Sequence, residues 1–158
     1  MNICIIGDGL TSLSLAKNLI NKKINVHIYH QNKTKNFSSS RTIGITKDNL
    51  EFFRKEIHKF PKKIFWEIKK IEIFSEKLEK ESLLKFESNK DDLFYMIKNN
   101  ELYESLRNEV YKNKYFKKKV IKQISFYENV LKEKKYDLII NCDSNNFLSK
   151  KFFTKRIE

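Results

Sequence analysis

The chain has 158 residues, enough for one domain with a substantial hydrophobic core. It carries 33 Lys and Arg against 20 Asp and Glu, a net charge of +13, and 4 of the 33 basic residues are Arg. No apolar run reaches the length of a transmembrane helix, no signal peptide is recognisable, and the two cysteines form no disulfide framework. Composition therefore excludes integral membrane and disulfide-rich secreted proteins and predicts a cytoplasmic location.

The positive charge has two explanations. It indicates either a surface for nucleic acid or an anionic membrane, or a coding bias, because Lys, Asn and Ile can all be written with A/T-only codons. The scarcity of Ala, Gly and Pro favours the coding bias. We therefore favour the coding bias over a nucleic-acid partner, while peripheral contact with the inner face of a membrane stays open, and a basic binder of nucleic acid or of a membrane surface is the third function considered.

The first 30 residues predict a strand, a glycine turn, a helix and a second strand. Residues 2–6 are a nearly continuous apolar run, typical of a strand buried on both faces. Apolar residues recur at helical spacing from Leu10 to Ile20, and Val26 to Tyr29 mark the next strand. The pattern predicts a βαβ unit that opens a parallel sheet.

The middle of the chain predicts a short β-prone piece at 41–46 and a helix over about 49–59, capped by Asp48. Two alternating stretches, 68–75 and 82–88, predict an antiparallel hairpin outside the parallel sheet.

The last third predicts a helix at 99–113, short strands or a meander over 115–133, and a strand in the apolar run 136–142. No repeat or Pro/Gly-rich linker interrupts the chain. The sequence thus predicts one α/β domain over 1–158 with a central parallel sheet, in which 62–95 forms an antiparallel insertion.

The turn after the first strand carries a dinucleotide fingerprint, G-x-G-x-x-S. Gly7 permits the sharp turn, Gly9 lets the backbone approach a pyrophosphate, and Ser12 is small enough for the helix to pack on the strand. The helix N-terminus at Leu10 and Thr11 offers free N–H groups to phosphates. The pattern predicts a dinucleotide-binding site.

One expected residue is missing. The fingerprint places an acid at the end of the second strand, where it binds ribose hydroxyls, but this chain has His30. A histidine can also hydrogen-bond a hydroxyl, and it can equally be an exposed strand-end residue. No spacing of His, Cys or acidic residues predicts a metal site.

Four segments in order resemble the N-terminal part of the FAD-dependent aromatic hydroxylases of the ubiquinone-biosynthesis type, the 2-polyprenyl-6-methoxyphenol hydroxylases. They are residues 5–12, 41–46, 95–106 and 136–146. The resemblance implies a Rossmann-like FAD-binding fold, FAD as cofactor, NAD(P)H as external electron donor and an aromatic or quinone-precursor substrate.

The resemblance also implies two further cofactor contacts. Arg41 matches an arginine that reaches toward the FAD phosphates and ribose, and it can otherwise be a surface cation. Asp143 matches an acid that contacts the cofactor and the substrate side, and it can otherwise cap a turn. No catalytic residue is assigned.

The chain departs from this family at several positions. Besides His30, Asn100 stands in place of an arginine, and Asn141 and Ser144 stand in place of glycines. These changes leave open a non-catalytic remnant or interaction module that binds FAD weakly or not at all. The family's second half, with most of the substrate domain, is not in this sequence, so we expect the substrate domain to be largely absent, with a second chain as one way to complete the fold.

Overall fold

The computed structural model describes residues 1–31, 41–75, 82–88, 92–123, 125–132 and 135–153. The chain forms two compact units, one of residues 1–36 with 103–158 and the other of residues 37–102. We call them the parallel unit and the antiparallel unit. The single domain over residues 1–158 that the sequence indicates stays a prediction.

Nine strands and five α-helices are present among the described residues. A π-helical turn at Phe53–Ile57 and a 3₁₀ turn at Lys62–Ile64 add to them. In chain order the elements are β1 (Asn2–Ile6), α1 (Leu10–Asn21), β2 (Asn25–Gln31), β3 (Thr42–Ile45), α2 (Lys47–Phe52), β4 (Phe65–Ile68), β5 (Lys70–Phe74), β6 (Ser82–Glu87), β7 (Phe94–Lys98), α3 (Asn99–Tyr111), β8 (Phe116–Ile121), α4 (Ser125–Lys132), β9 (Leu138–Asn141) and α5 (Phe147–Phe153).

The parallel unit is built on a four-stranded sheet in the order β8-β2-β1-β9. All three strand pairings are parallel, and β1 pairs with β2 from Asn2 opposite Asn25 to Ile6 opposite Tyr29. The predicted α/β class, the central parallel sheet and the opening βαβ unit are therefore confirmed.

The core of this unit lies around β1 and α1. From Ile3 to Ile6 no residue of β1 is more than 1% exposed, as expected for a central strand covered on both faces. α1 buries Leu13, Ala16 and Ile20, whose spacing places them along one face of the helix. This packing fixes the position of the turn between β1 and α1.

The antiparallel unit contains a three-stranded sheet, β3-β7-β4, and a separate hairpin of β5 and β6. The predicted hairpin is confirmed, with Ile71 opposite Phe86 and Ile73 opposite Leu84. Every residue of β6 is exposed. This hairpin therefore has an apolar face that contributes little to a core.

Two predicted elements were wrong in part. Thr46, and not Asp48, caps α2, because the Thr46 hydroxyl accepts a hydrogen bond from Asn49 N at 3.4 Å. The region 115–133 holds β8 followed by the helix α4, which buries Tyr127 and Val130. Those two residues are three apart and share a helix face, a signal that the frequent lysines obscured.

Candidate functional site

The order of the parallel sheet creates a crevice at the ends of β1 and β9. From β1 the chain proceeds to β2 on one side, while β9 pairs with β1 on the other side. In open parallel sheets ligands bind outside the carboxyl ends of the strands, at such a point of reversal. The glycine turn follows β1 and Asp143 follows β9, so both segments border this crevice.

The backbone anchors both segments to the sheet. Gly7 N donates to Tyr29 O at 2.7 Å, and Cys142 N donates to Ile6 O at 2.8 Å. Because these bonds extend the ladders beyond the last strand residues, the two segments leave the sheet from fixed positions.

Gly7 is required by the fold itself. Its φ is +109°, a conformation that L side chains rarely adopt. An added Cβ would also lie 3.2 Å from Asp143 Cβ and 3.3 Å from both Cys142 C and Ser12 Oγ. No side chain fits where β1, α1 and the segment after β9 meet.

Gly9 has a different environment. It is the N-cap of α1, with φ −77° and ψ −177°, which any residue can adopt. An added Cβ would meet no protein atom within 4 Å. The fold therefore does not exclude a side chain here, and the space beside Gly9 is open at the N-terminus of a 12-residue helix.

The first turn of α1 presents its backbone to this open side. Leu10 is half-buried and Thr11 is exposed. Gly9 has no side chain to cap the helix, and its carbonyl accepts the first helical hydrogen bond, from Leu13 N at 3.0 Å. The N–H groups of the first turn are thus available for an anion.

Ser12 lies on the buried side of the same turn. It is fully buried, and its hydroxyl has no N or O hydrogen-bond partner within the described part of the chain. Burial raises the pKa of the neighbouring Cys142 thiol, while a contact with Ser12 lowers it. Because a thiol is a weak partner, the Ser12 hydroxyl adds little stability here, and its small size is what the packing uses.

The end of β2 brings His30 next to an acid of the glycine turn. His30 Nδ1 lies 3.5 Å from Asp8 Oδ2, and Lys118 Nζ from β8 lies 3.6 Å from the same oxygen. Asp8 and His30 are each 8% exposed. Burial raises the pKa of Tyr103 to about 12, and the negative charge of Asp8 contributes to that shift.

The segment after β9 is held by a network of polar side chains. Asn141 Nδ2 donates to Ser149 Oγ at 2.8 Å, and the buried Asn146 donates from Nδ2 to Asn141 Oδ1 at 2.6 Å. Ser149 Oγ donates to Asp143 O at 2.7 Å, and Asp143 Oδ1 accepts from Asn145 N at 3.0 Å. The Asn141 side chain therefore occupies the place where the resemblance expects a glycine, and it stabilises the loop.

A cavity of about 280 Å³ unites the two segments and the end of β2. Four of the predicted site residues line it, namely Gly7, Gly9, His30 and Asp143. Sequence reasoning missed five other lining residues, which are Asp8, Gln31, Cys142, Ser144 and Asn145. Asp8 carried a usable signal, because it stands between the two fingerprint glycines, in the turn where the ligand is expected.

Arg41 lies in the antiparallel unit, directly before β3, where its carbonyl accepts from Asn99 N at 2.9 Å. Its predicted contact with a cofactor stays a prediction. A wider, mostly apolar cleft of about 1120 Å³ runs beside β9 and α5 and is lined by Ile140, Leu148 and Phe152 as well as Asp143. It shares Cys142, Asp143 and Ser144 with the smaller cavity.

The described residues lack two other kinds of feature. No group of three or more His, Cys, Asp or Glu is placed to hold a metal ion there. Within the same ranges, no helix has both the length and the apolar character needed to cross a bilayer.

Comparison with solved structures shows a shared fold with flavin-dependent monooxygenases. The chain is similar to p-nitrophenol 4-monooxygenase from Pseudomonas putida (12% identity, TM-score 0.59, 75% of this chain and 31% of that one). It is also similar to 2,6-dihydroxypyridine-3-hydroxylase from Arthrobacter nicotinovorans, with 13% identity and a TM-score of 0.54 over 74% of this chain and 28% of that one. A third similar structure is that of a Photorhabdus luminescens protein described as an FAD-containing monooxygenase. It has 19% identity and a TM-score of 0.55 over 75% of this chain and 30% of that one.

These similarities concern the fold, because all three identities are below 20%. The chain spans about a third of the length of these proteins. No family model matches the sequence, and no curated protein matches it.

Proposed function

We propose that the parallel unit binds the ADP portion of FAD in the cavity between the glycine turn, the end of β2 and Asp143. The contrast between the two glycines is the observation that carries this proposal. Gly7 is explained by the protein's own packing, whereas neither backbone conformation nor neighbouring atoms explain Gly9. A ligand whose pyrophosphate approaches the backbone at Gly9 supplies the missing reason.

The residues present fit such a ligand. The N-terminus of α1 offers N–H groups and a partial positive charge to the phosphates. His30 and Asp8 line the same cavity and carry acceptors that suit ribose hydroxyls. When bound, FAD would supply the redox chemistry, and the residues of this chain would bind it, orient it and exclude water.

The similar solved structures support an oxidoreductase of the flavin-dependent monooxygenase type. On this proposal NAD(P)H is the external electron donor, as the sequence resemblance implies. The substrate is aromatic, which the names of the nitrophenol and dihydroxypyridine enzymes indicate for those proteins. A quinone precursor of the ubiquinone pathway is the specific substrate that the sequence resemblance favours. The apolar cleft beside Asp143 offers surface for an aromatic ring.

A cytoplasmic location belongs to the same proposal. Cys4 and Cys142 are both free thiols, which fits a reducing compartment.

A second candidate function is a non-catalytic module that retains the fold without productive cofactor binding. The Asn141 network favours it, because a side chain hydrogen-bonded to Asn146 and Ser149 fills the place where a glycine would allow close approach. Binding measurements separate the two candidates.

The test titrates the purified protein with FAD and follows quenching of flavin fluorescence. We expect micromolar or tighter binding by the wild type. Gly9→Ser should weaken binding by at least about tenfold, because its side chain enters the space of the pyrophosphate. Serine is a favoured N-cap residue, so the same variant should be as stable as the wild type.

Lys22→Ser is the matched control, because it introduces a serine at an exposed position at the opposite end of α1 and should leave the affinity unchanged. Absence of FAD binding by the wild type would refute the proposal and favour the non-catalytic module. Equal FAD affinity of wild type and Gly9→Ser would refute the placement of the pyrophosphate at Gly9.

A further inference from the structure

The structure provides a carboxylate at the place where the sequence lacks one. The fingerprint puts the ribose-binding acid at the end of the second strand, where this chain has His30. The Asp8 carboxylate of the glycine turn lies beside that position, with Oδ2 at 3.5 Å from His30 Nδ1. The negative charge is therefore present near the end of β2, although a different segment contributes it.

The surroundings of Asp8 hold this charge in the cavity. A carboxylate that is only 8% exposed has lost most of its water and needs compensating partners. Lys118 Nζ, at 3.6 Å, and the ring of His30 provide them from the two neighbouring strands β8 and β2. A carboxylate has about four acceptor sites, so it can accept from hydroxyl donors of a ligand as well as from donors of the protein.

His30 has the geometry of a residue that orients this acid. Its Nδ1 lies between two acceptors, Gln31 O at 3.0 Å and Asp8 Oδ2 at 3.5 Å. Two acceptors around one ring nitrogen require that this nitrogen carries the hydrogen. The ring therefore donates to Gln31 O, which fixes its orientation, and its Nδ1 edge lies beside the Asp8 carboxylate at the border of the cavity.

We infer that Asp8 accepts the hydrogen bonds of the ribose hydroxyls of a bound nucleotide, with His30 and Lys118 as positioning residues. The inference rests on the proposed nucleotide binding and assigns the sugar contact to the residue between the two fingerprint glycines. It has a specific consequence, which is that the protein distinguishes a ribonucleotide from the same nucleotide without a ribose hydroxyl.

The test compares ADP with 2′-deoxy-ADP and 3′-deoxy-ADP by calorimetry, with FAD as the reference ligand. The wild type should prefer ADP over at least one deoxynucleotide by about tenfold, because a hydroxyl that donates to a buried carboxylate is lost. Asp8→Asn should still bind ADP but with a preference below about threefold, because the acceptor is no longer charged. If Asp8→Asn does not fold, the smaller Asp8→Ser replaces it with the same expectation.

Two further variants sharpen the result. Asp8→Asn combined with His30→Glu restores an acid at the end of β2 and should recover the preference for ADP. Asp48→Asn removes an exposed acid from the first turn of α2 and should leave the preference at its wild-type value.

The failures of this inference and of the proposed function are distinguishable. Absence of binding to FAD and to ADP would overturn both. Two other results would overturn the role of Asp8 alone. One is that the wild type binds FAD but binds ADP and the two deoxynucleotides with equal affinity. The other is that Asp8→Asn keeps the wild-type preference for ADP over the deoxynucleotides. Tighter binding of all three nucleotides by Asp8→Asn would likewise overturn it and would show that Asp8 repels the phosphates.

Discussion

The central strand β1 of the parallel unit and the hairpin strand β6 of the antiparallel unit are buried to different extents. Residues Ile3 to Ile6 of β1 are at most 1% exposed, whereas every residue of β6 is exposed, Leu84 by 53%. A central strand of a parallel sheet is covered on both faces, while a two-stranded hairpin gains little burial from its single pairing. The difference indicates that β1 fixes the geometry of the glycine turn, because this turn leaves from a strand that is packed on both faces.

The largest expected effect is on the free energy of unfolding, when leucine is replaced by alanine in each of the two units. Leu13→Ala, in the fully buried face of α1, should lower the free energy of unfolding by about 2–5 kcal/mol. Leu84→Ala in β6 should lower it by less than about 1 kcal/mol, because the side chain is already half exposed. Urea denaturation of the two variants measures both, and equal losses would contradict the difference in packing.

A second comparison uses glycines of the two units. Gly7→Ala should cost about 1–3 kcal/mol of stability, because it combines a positive φ with three contacts of 3.2–3.3 Å. Gly44→Ala in β3 should be close to neutral, since the nearest atom to its Cβ would be Phe94 Cδ2 at 3.4 Å. Thermal unfolding of both proteins tests this, and a Gly7→Ala protein as stable as Gly44→Ala would show that the turn relaxes.

The stability of the protein should fall at alkaline pH because the Cys4 thiol is buried in β1. Burial raises the pKa of Cys4 from 9.0 to about 12. The folded protein therefore keeps the thiol neutral while the unfolded chain ionises, so this contribution is full below pH 9 and is lost as the pH rises toward 12. The urea midpoint should fall above pH 9, and it should fall less steeply in Cys4→Ala. Identical slopes would refute the role of this thiol.

The smallest expected effect concerns Ser12. Ser12→Ala should stabilise the protein by about 0.5 kcal/mol, because it removes a buried hydroxyl without a described N or O partner and improves helix propensity. A loss of stability in urea would show that the contact with the Cys142 thiol is worth more than we infer.

The sequence predicted the parts of the fold that depend on local patterns. The apolar run of β1, the helical spacing of α1 and the alternation of the hairpin each reflect which faces are buried, so their types followed directly. The helix α4 was missed because it has only eight residues and follows the lysine-rich strand β8, so the alternation of that strand was extended over it. The cap at Thr46 was missed because Asp48 is an equally suitable residue type, and only the backbone shows which one accepts the bond.

In the candidate site, too, some features follow from local sequence and others depend on the tertiary structure. The sequence by itself determined that a strand, a glycine turn and a helix follow each other at the start of the chain, because the spacing of Gly7, Gly9 and Ser12 is a local property. It could not show that Asp143 and the glycine turn line one cavity, since the two lie near opposite ends of the chain and the pairing of β9 with β1 brings them together.

The tertiary structure also decided which of the two glycines serves the fold and which leaves space for a ligand. Both look alike in the sequence, but the atoms around Gly7 come from the segment after β9 and from α1, and a Cβ at Gly9 would meet no atom within 4 Å. In the same way, the acid missing at His30 was a property of the sequence, while the nearness of the Asp8 carboxylate arises from the packing of the turn against β2 and β8. Such contacts depend on long-range packing, which residue order alone does not specify.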